Sequence, residues 1–167
     1  WAVGGVVKGV GMIHPNMATM LAFLTTDAPV DPAFLQQVLS EAVDRSFNLV
    51  SVDGDTSPSD TVLLFANGAA GGNPISTGSP LAREFREALE TLCTCLAKEI
   101  ARDGEGATKL VEFSVTGAAT AAGSAAKVKD NLQLPVGSDA ASTAGGRLLD
   151  RLRSNPNLEV VPRTYFF

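Results

Sequence analysis

Histidine is almost missing from this chain, with His14 alone in 167 residues, and cysteine is nearly as scarce, with Cys93 and Cys95 only. A Ser-His-Asp triad would have to use His14, which precedes Pro15 in a glycine-rich stretch and has no partner at a recognisable spacing. It reads as a loop residue. Two cysteines cannot make a disulfide framework. Two apart on a helix they point roughly 200° apart, which opposes a mutual disulfide and a shared metal. They read as small thiols in a reducing compartment. Aromatic residues are 6% of the chain, and no apolar run reaches the roughly 18–20 residues of a membrane span. No signal-peptide pattern opens the sequence, and no membrane partner is expected. Trp1 in place of an initiator Met reads as a piece of something longer. Basic charge is short as well. The net charge is -5, which argues against nucleic acid as a partner, since phosphate binding needs a basic surface.

What is present suits a folded domain: 45% apolar residues and only 19% charged. Charge divides the chain. Residues 1–118 carry 7 Lys/Arg against 14 Asp/Glu, and residues 119–167 carry 6 against 4.

Trp1 to Val7 alternates like a short strand, Lys8 to Asn16 reads as a Gly/Pro loop, and Thr19 to Thr26 is an apolar run of strand length. Asp31-Pro32 opens a helix, with Asp as the cap and Pro at the first helical position. Phe34, Leu35, Val38, Leu39, Ala42 and Val43 give that helix its buried face. Leu49 to Val52 and Thr61 to Ala66 read as strands around the polar turn SVDGDTSPSD, and Gly68 to Ser79 reads as a loop. Ser79-Pro80 starts the longest helix, to about Arg102, with Leu81, Phe85, Ala88, Leu89, Leu92, Leu96 and Ile100 on one face. Lys109 to Thr116 alternates like a half-buried strand. The order predicts a layered α/β domain. Beyond Gly117 the composition turns to Ala, Gly and Ser with weak periodicity, and residues 119–167 read as a flexible extension with one short helix at Arg147 to Leu152.

Two constellations carry chemistry. In Lys8-Gly9-Val10-Gly11-Met12-Ile13-His14-Pro15-Asn16-Met17-Ala18-Thr19-Met20-Leu21, a small residue precedes Thr where a turn meets a strand. That arrangement permits self-cleavage: the Thr19 hydroxyl attacks the Ala18 carbonyl, an ester replaces the amide, and water frees a new N-terminus. The freed α-amine, with a reference pKa of about 7.7–8.0, can take the proton of its own hydroxyl. By pattern alone, a buried strand threonine is the commoner use of Ala-Thr. The second is Val50-Ser51-Val52-Asp53-Gly54-Asp55-Thr56. A strand followed by Asp-x-Asp-x-Thr matches the nucleophile loop of Mg²⁺-dependent haloacid-dehalogenase-type phosphatases, with Asp53 as nucleophile and Asp55 as acid/base. A plain Asp-Gly turn is the structural alternative.

KGVGMIHPNMATML, DRSFN, SVDGDTSPSDT, ANGAAGG and RDGEGATK, in this order and spacing, resemble the ornithine acetyltransferase (glutamate N-acetyltransferase) family of arginine biosynthesis over residues 1–118. The first block is most similar in wording to fungal mitochondrial members, which implies a mitochondrial matrix location, or the cytoplasm for a bacterial chain. The resemblance implies an αββα-type sandwich similar to N-terminal-nucleophile enzymes. It further implies cleavage between Ala18 and Thr19, so that residues 1–18 end an α chain and 19–118 start a β chain, in a heterotetramer. Thr19 would be the nucleophile that carries acetyl from N-acetylornithine to glutamate, with acetyl-CoA as a further donor in some members. Lys8 and Glu105 match substrate-binding positions, suited to pair with the substrate's carboxylate and ammonium. No metal or organic cofactor is implied.

The resemblance also marks departures. The family's oxyanion Thr-Gly pair lies upstream of what is present before Thr19, and its late Asp-x-Asn-Trp-Gly-Arg block has no counterpart in residues 119–167. An oxyanion donor is worth about 10²–10³ in rate, so poor turnover is expected of this polypeptide by itself. An inactive remnant that keeps the fold is the non-enzymatic alternative.

Overall fold

The computed structural model describes residues 1–9, 20–52, 60–104, 107–116 and 159–164, which fall into two units, Trp1–Glu105 and Gly106–Phe167. In the first unit, strand β1 (Val3–Lys8) pairs antiparallel with β2 (Leu21–Thr26), and β2 pairs parallel with β3 (Thr61–Ala66), giving the order β1-β2-β3. The parallel pair requires a crossover, and helix α1 (Pro32–Asp44) supplies it.

Helix α1 starts where its sequence signals put it. Asp31 is extended and its Oδ1 accepts from the N–H groups of Ala33 and Phe34 at 3.0 and 3.1 Å, with Pro32 next. Such a cap contributes about 1 kcal/mol. Phe34, Val38 and Ala42 are buried, with Leu35, Leu39 and Val43 packed beside them. Helix α2 (Ala82–Arg102) buries Phe85, Leu89, Cys93, Ala97 and Ile100 along one stripe. The buried faces of both helices share one core with Ala22 and Leu24 of β2, whose inward face also buries Thr26. Each fully buried large side chain is worth roughly 1.5–3 kcal/mol relative to exposure. Thr26, the one polar residue of that face, is satisfied: its hydroxyl donates to the Ala2 carbonyl at 2.7 Å and accepts from the Ala28 N–H at 3.1 Å.

The outward face of the same sheet is also apolar. Val6, Phe23, Leu63 and Phe65 are all exposed on it, Val6 by 66% and Phe65 by 55%. A sheet that is apolar on both sides is built as an interior layer. The layered α/β architecture read from the sequence is therefore present, with one helical layer and one sheet in this unit.

Two local expectations fail. Leu49 to Val52 is not a strand: Phe47–Leu49 is a 3₁₀ turn. The N–H groups of Leu49 and Val50 are spent on the carbonyls of Ser46 and Phe47 at 2.9 and 3.1 Å, so they cannot join a ladder. Apolar side chains alone suggested a strand, and Val50 is buried as a packing residue without one. The long helix begins at Ala82, after a turn in which the Ala82 N–H donates to the Ser79 carbonyl at 3.1 Å. Leu81, expected on the buried face, is consequently 40% exposed.

In the second unit, β4 (Val111–Thr116) pairs antiparallel with β5 (Glu159–Thr164), from Val111↔Thr164 to Thr116↔Glu159. Strand β5 lies within the stretch read as an extension, whereas Arg147 to Leu152 falls outside the described residues.

Candidate active site

Helix α2 follows β1 in the same direction. The Trp1 ring lies 5.5 Å from Phe85 near the start of both elements. Farther along, a Cβ on Gly5 would sit 3.2 Å from Leu96 Cδ1 and 2.5 Å from Leu24 Cδ2. Only glycine lets the helix and the sheet meet this closely. The C-terminal ends of β1 and α2 thus come to one end of the unit, and β2 and β3 both start there, since Lys8 pairs with Leu21 and Leu21 with Thr61.

At this end the chain entering β2 is held on both sides of its first peptide groups. The Met20 N–H donates to Asp60 Oδ1 at 2.7 Å, and the Met20 carbonyl accepts from the Thr61 N–H at 3.0 Å. The Met20 side chain is buried. Partial desolvation raises the Asp60 carboxyl above its ordinary value of 3.8, and the Met20 N–H opposes that rise. Lys8 is exposed, one residue before the buried Gly9. Beyond α2, Gly104 is buried against Val52, whose Cγ1 would lie 2.7 Å from a Cβ added there. The close of α2 therefore meets the segment that leads to Asp53.

Of the residues singled out from the sequence, Lys8 is at this end of the sheet. Ala18, Thr19 and Glu105 lie outside the described residues, as do His14, Asp53 and Asp55. Their chain neighbours Met20, Gly104 and Val52 are described, and the first two flank Thr19 and Glu105 directly. Asp60 is the residue that sequence reading missed. It looked like the last polar residue of a turn, and no spacing rule links it to Met20, 40 positions earlier.

The cysteines separate as their spacing requires. Cys93 is buried and its thiol is pushed up to about 11, chiefly by desolvation, with a Ser46 hydrogen bond pulling the other way. Cys95 is exposed. Among the described residues, no three His, Cys, Asp or Glu side chains gather as a metal site, and no helix is long and apolar enough to cross a membrane.

The unit is a layered α/β arrangement, and comparison with known proteins gives the family. The ArgJ family matches residues 1–133, and the chain belongs to it. The arginine biosynthesis bifunctional protein ArgJ of Symbiobacterium thermophilum is 62% identical over 118 residues, 71% of this chain and 29% of that protein. Its Lactococcus lactis namesake is 49% identical over 161 residues, 95% of this chain and 41% of that protein. The mitochondrial protein of Schizosaccharomyces japonicus is 50% identical over 122 residues, 73% and 28%. The crystal structure of the Bacillus halodurans protein superposes with a TM-score of 0.64 at 41% identity, covering 70% of this chain and 55% of that one. The matched part of the chain spans between 28% and 41% of the length of these curated relatives. They are bacterial as well as fungal.

Proposed function

We propose that this chain is the junction-bearing part of a self-cleaving acetyltransferase of arginine biosynthesis, moving acetyl from N-acetylornithine to glutamate. The observation that carries the reading is family membership across residues 1–133, a span that includes the whole PNMATML block.

In this reading the Thr19 Oγ attacks the Ala18 carbonyl carbon, and the Ala18–Thr19 amide becomes an ester as the Thr19 nitrogen leaves with a proton. Water then hydrolyses the ester, giving the Ala18 carboxylate and Thr19 as a new N-terminus. The free amine of Thr19 next takes the hydroxyl proton while Oγ attacks the acetyl carbonyl of N-acetylornithine. Ornithine leaves protonated, and an acetyl ester remains on Thr19. The α-amine of glutamate attacks that ester, forms N-acetylglutamate and restores the hydroxyl. Acetyl-CoA can supply the same acetyl ester through its thioester.

Lys8 holds the substrate carboxylate and Glu105 the ammonium, each as a charge-assisted pair. Lys8 supports this assignment by standing opposite Leu21, two residues from the nucleophile. No metal or organic cofactor enters the cycle. The partner assembly in this reading is a heterotetramer of α and β chains cut from one precursor. The compartment is the mitochondrial matrix for a fungal chain and the cytoplasm for a bacterial one.

Intact mass and N-terminal sequencing of the purified chain, beside Thr19→Ala, test the first step. Release of an 18-residue peptide and a chain beginning Thr-Met-Leu, in the parent only, is the expected result. A parent that stays at 17.3 kDa overturns the reading.

A further inference from the structure

We infer that Asp60 is a positioning residue for the Thr19 nucleophile, acting through the backbone of Met20; this rests on the acetyltransferase reading above. A nucleophile that must reach its own preceding carbonyl depends on where its backbone is fixed, and small misplacements of reacting atoms can cost about 10²-fold in rate. Thr19 precedes Leu21, where β2 begins, by two residues in the sequence.

Two hydrogen bonds hold the next residue. Thr61 supplies one from its backbone N–H to the Met20 carbonyl, and that bond belongs to the ordinary pairing of β2 with β3. The other is different in kind. It is a side-chain acceptor, Asp60 Oδ1, at 2.7 Å from the Met20 nitrogen, and that nitrogen is the amide joined to the Thr19 carbonyl carbon. The Asp60 carboxylate therefore holds the Met20 nitrogen, the atom through which the nucleophile stays attached to β2 once the Ala18 side is cut. A carboxylate serves better than a neutral acceptor because a charged partner shortens and strengthens the bond. The Met20 side chain is itself buried, so packing adds to the two hydrogen bonds that hold this residue.

The test compares Asp60→Ala and Asp60→Asn in the whole 167-residue chain, reading the cleavage rate by mass and the hydrogen exchange of the Met20 amide. Exchange is read in a Thr19→Ala background so that every sample keeps one covalent form. The expected result is at least tenfold slower cleavage in Asp60→Ala with faster exchange at Met20, and a return to within about threefold of the parent in Asp60→Asn, which keeps the acceptor. Thermal unfolding of Asp60→Asn checks that rescue occurs in a folded chain. Cleavage by Asp60→Ala within twofold of the parent, an unchanged Met20 amide, or an Asn variant as slow as Ala each overturns the inference while leaving self-cleavage standing. A parent that does not cleave at all removes the acetyltransferase reading, and the positioning role falls with it.

Discussion

Gly104 rests so closely on Val52 that a Cβ at position 104 would lie 2.7 Å from Val52 Cγ1 and 3.1 Å from its Cγ2. This contact joins the end of α2 to the segment that leaves the 3₁₀ turn, and both carry sequence blocks shared with the family. Gly104→Ala is expected to destabilise the chain by about 1–3 kcal/mol, the usual cost of overpacking. Denaturant midpoints check the value. Adding Val52→Ala to Gly104→Ala removes the clashing methyls, so the double variant should recover part of the loss that Gly104→Ala causes. A fully additive double variant would show that the clash is relieved elsewhere.

Cys93 and Cys95 make a contrast that a thiol reagent can read. With its thiol pushed up to about 11 and its side chain buried, Cys93 has on the order of one part in a thousand as thiolate at pH 8. Cys95 is exposed. A folded chain should take one label at pH 8, at Cys95, and two after denaturation, as counted by mass. Rapid labelling of both in the native chain would contradict the burial of Cys93.

Several features were legible in the sequence because local chemistry decides them. Asp31-Pro32 is a cap and first-turn pair whose bonds reach only two and three residues ahead, and it forms as read. The apolar spacing of α1 and α2 likewise survives folding because burial of one face is what it encodes, and Thr61 to Ala66 forms a strand as read. Leu49 to Val52 went wrong for the opposite reason: a strand needs a partner, and a four-residue run with three apolar side chains says nothing about whether one is available. The clamp from Asp60 to Met20 was equally hidden, since it joins positions 40 apart and uses a residue type common in turns. Lys8 could be flagged by resemblance, yet its place opposite Leu21 comes from strand register alone.

The outward face of the sheet gives a prediction about behaviour in solution. Val6, Phe23, Leu63 and Phe65 are exposed together on neighbouring strands of one sheet, and contiguous apolar surface of this kind promotes association. The isolated chain should bind a hydrophobic dye and self-associate with rising concentration. Val6→Thr combined with Phe65→Thr should lower both signals, because threonine keeps a β-branched strand residue while shedding apolar area. Sedimentation velocity and dye fluorescence check this, and a monomeric, dye-silent parent would refute it.

Acid dependence follows from the pair that ties the two helices together. Arg86 donates from Nε to Glu41 Oε2 at 2.8 Å while its guanidinium lies 5.5 Å from the Phe34 ring centre. The Gln37 side-chain amide also donates to Glu41, at 2.8 Å. The Gln37 bond first, and Arg86 after it, hold the Glu41 carboxyl below its ordinary value of 4.5 against a desolvation cost. A carboxyl depressed in the folded state gives stability that is complete above its unfolded value and is lost as pH falls through its folded value. The parent should therefore lose stability relative to Glu41→Gln as pH drops below about 4.5. Asp60 works in the opposite sense: its raised carboxyl favours the folded chain as pH falls into its titration range, so Asp60→Asn should steepen the acid loss. The Glu41 effect is small because both side chains of the pair remain about a third exposed, 33% for Arg86 and 37% for Glu41, where solvent screens them. Urea midpoints of the parent, Glu41→Gln and Asp60→Asn between pH 3 and 7 measure it, and parallel curves for the parent and Glu41→Gln would show that the pair does not couple to folding.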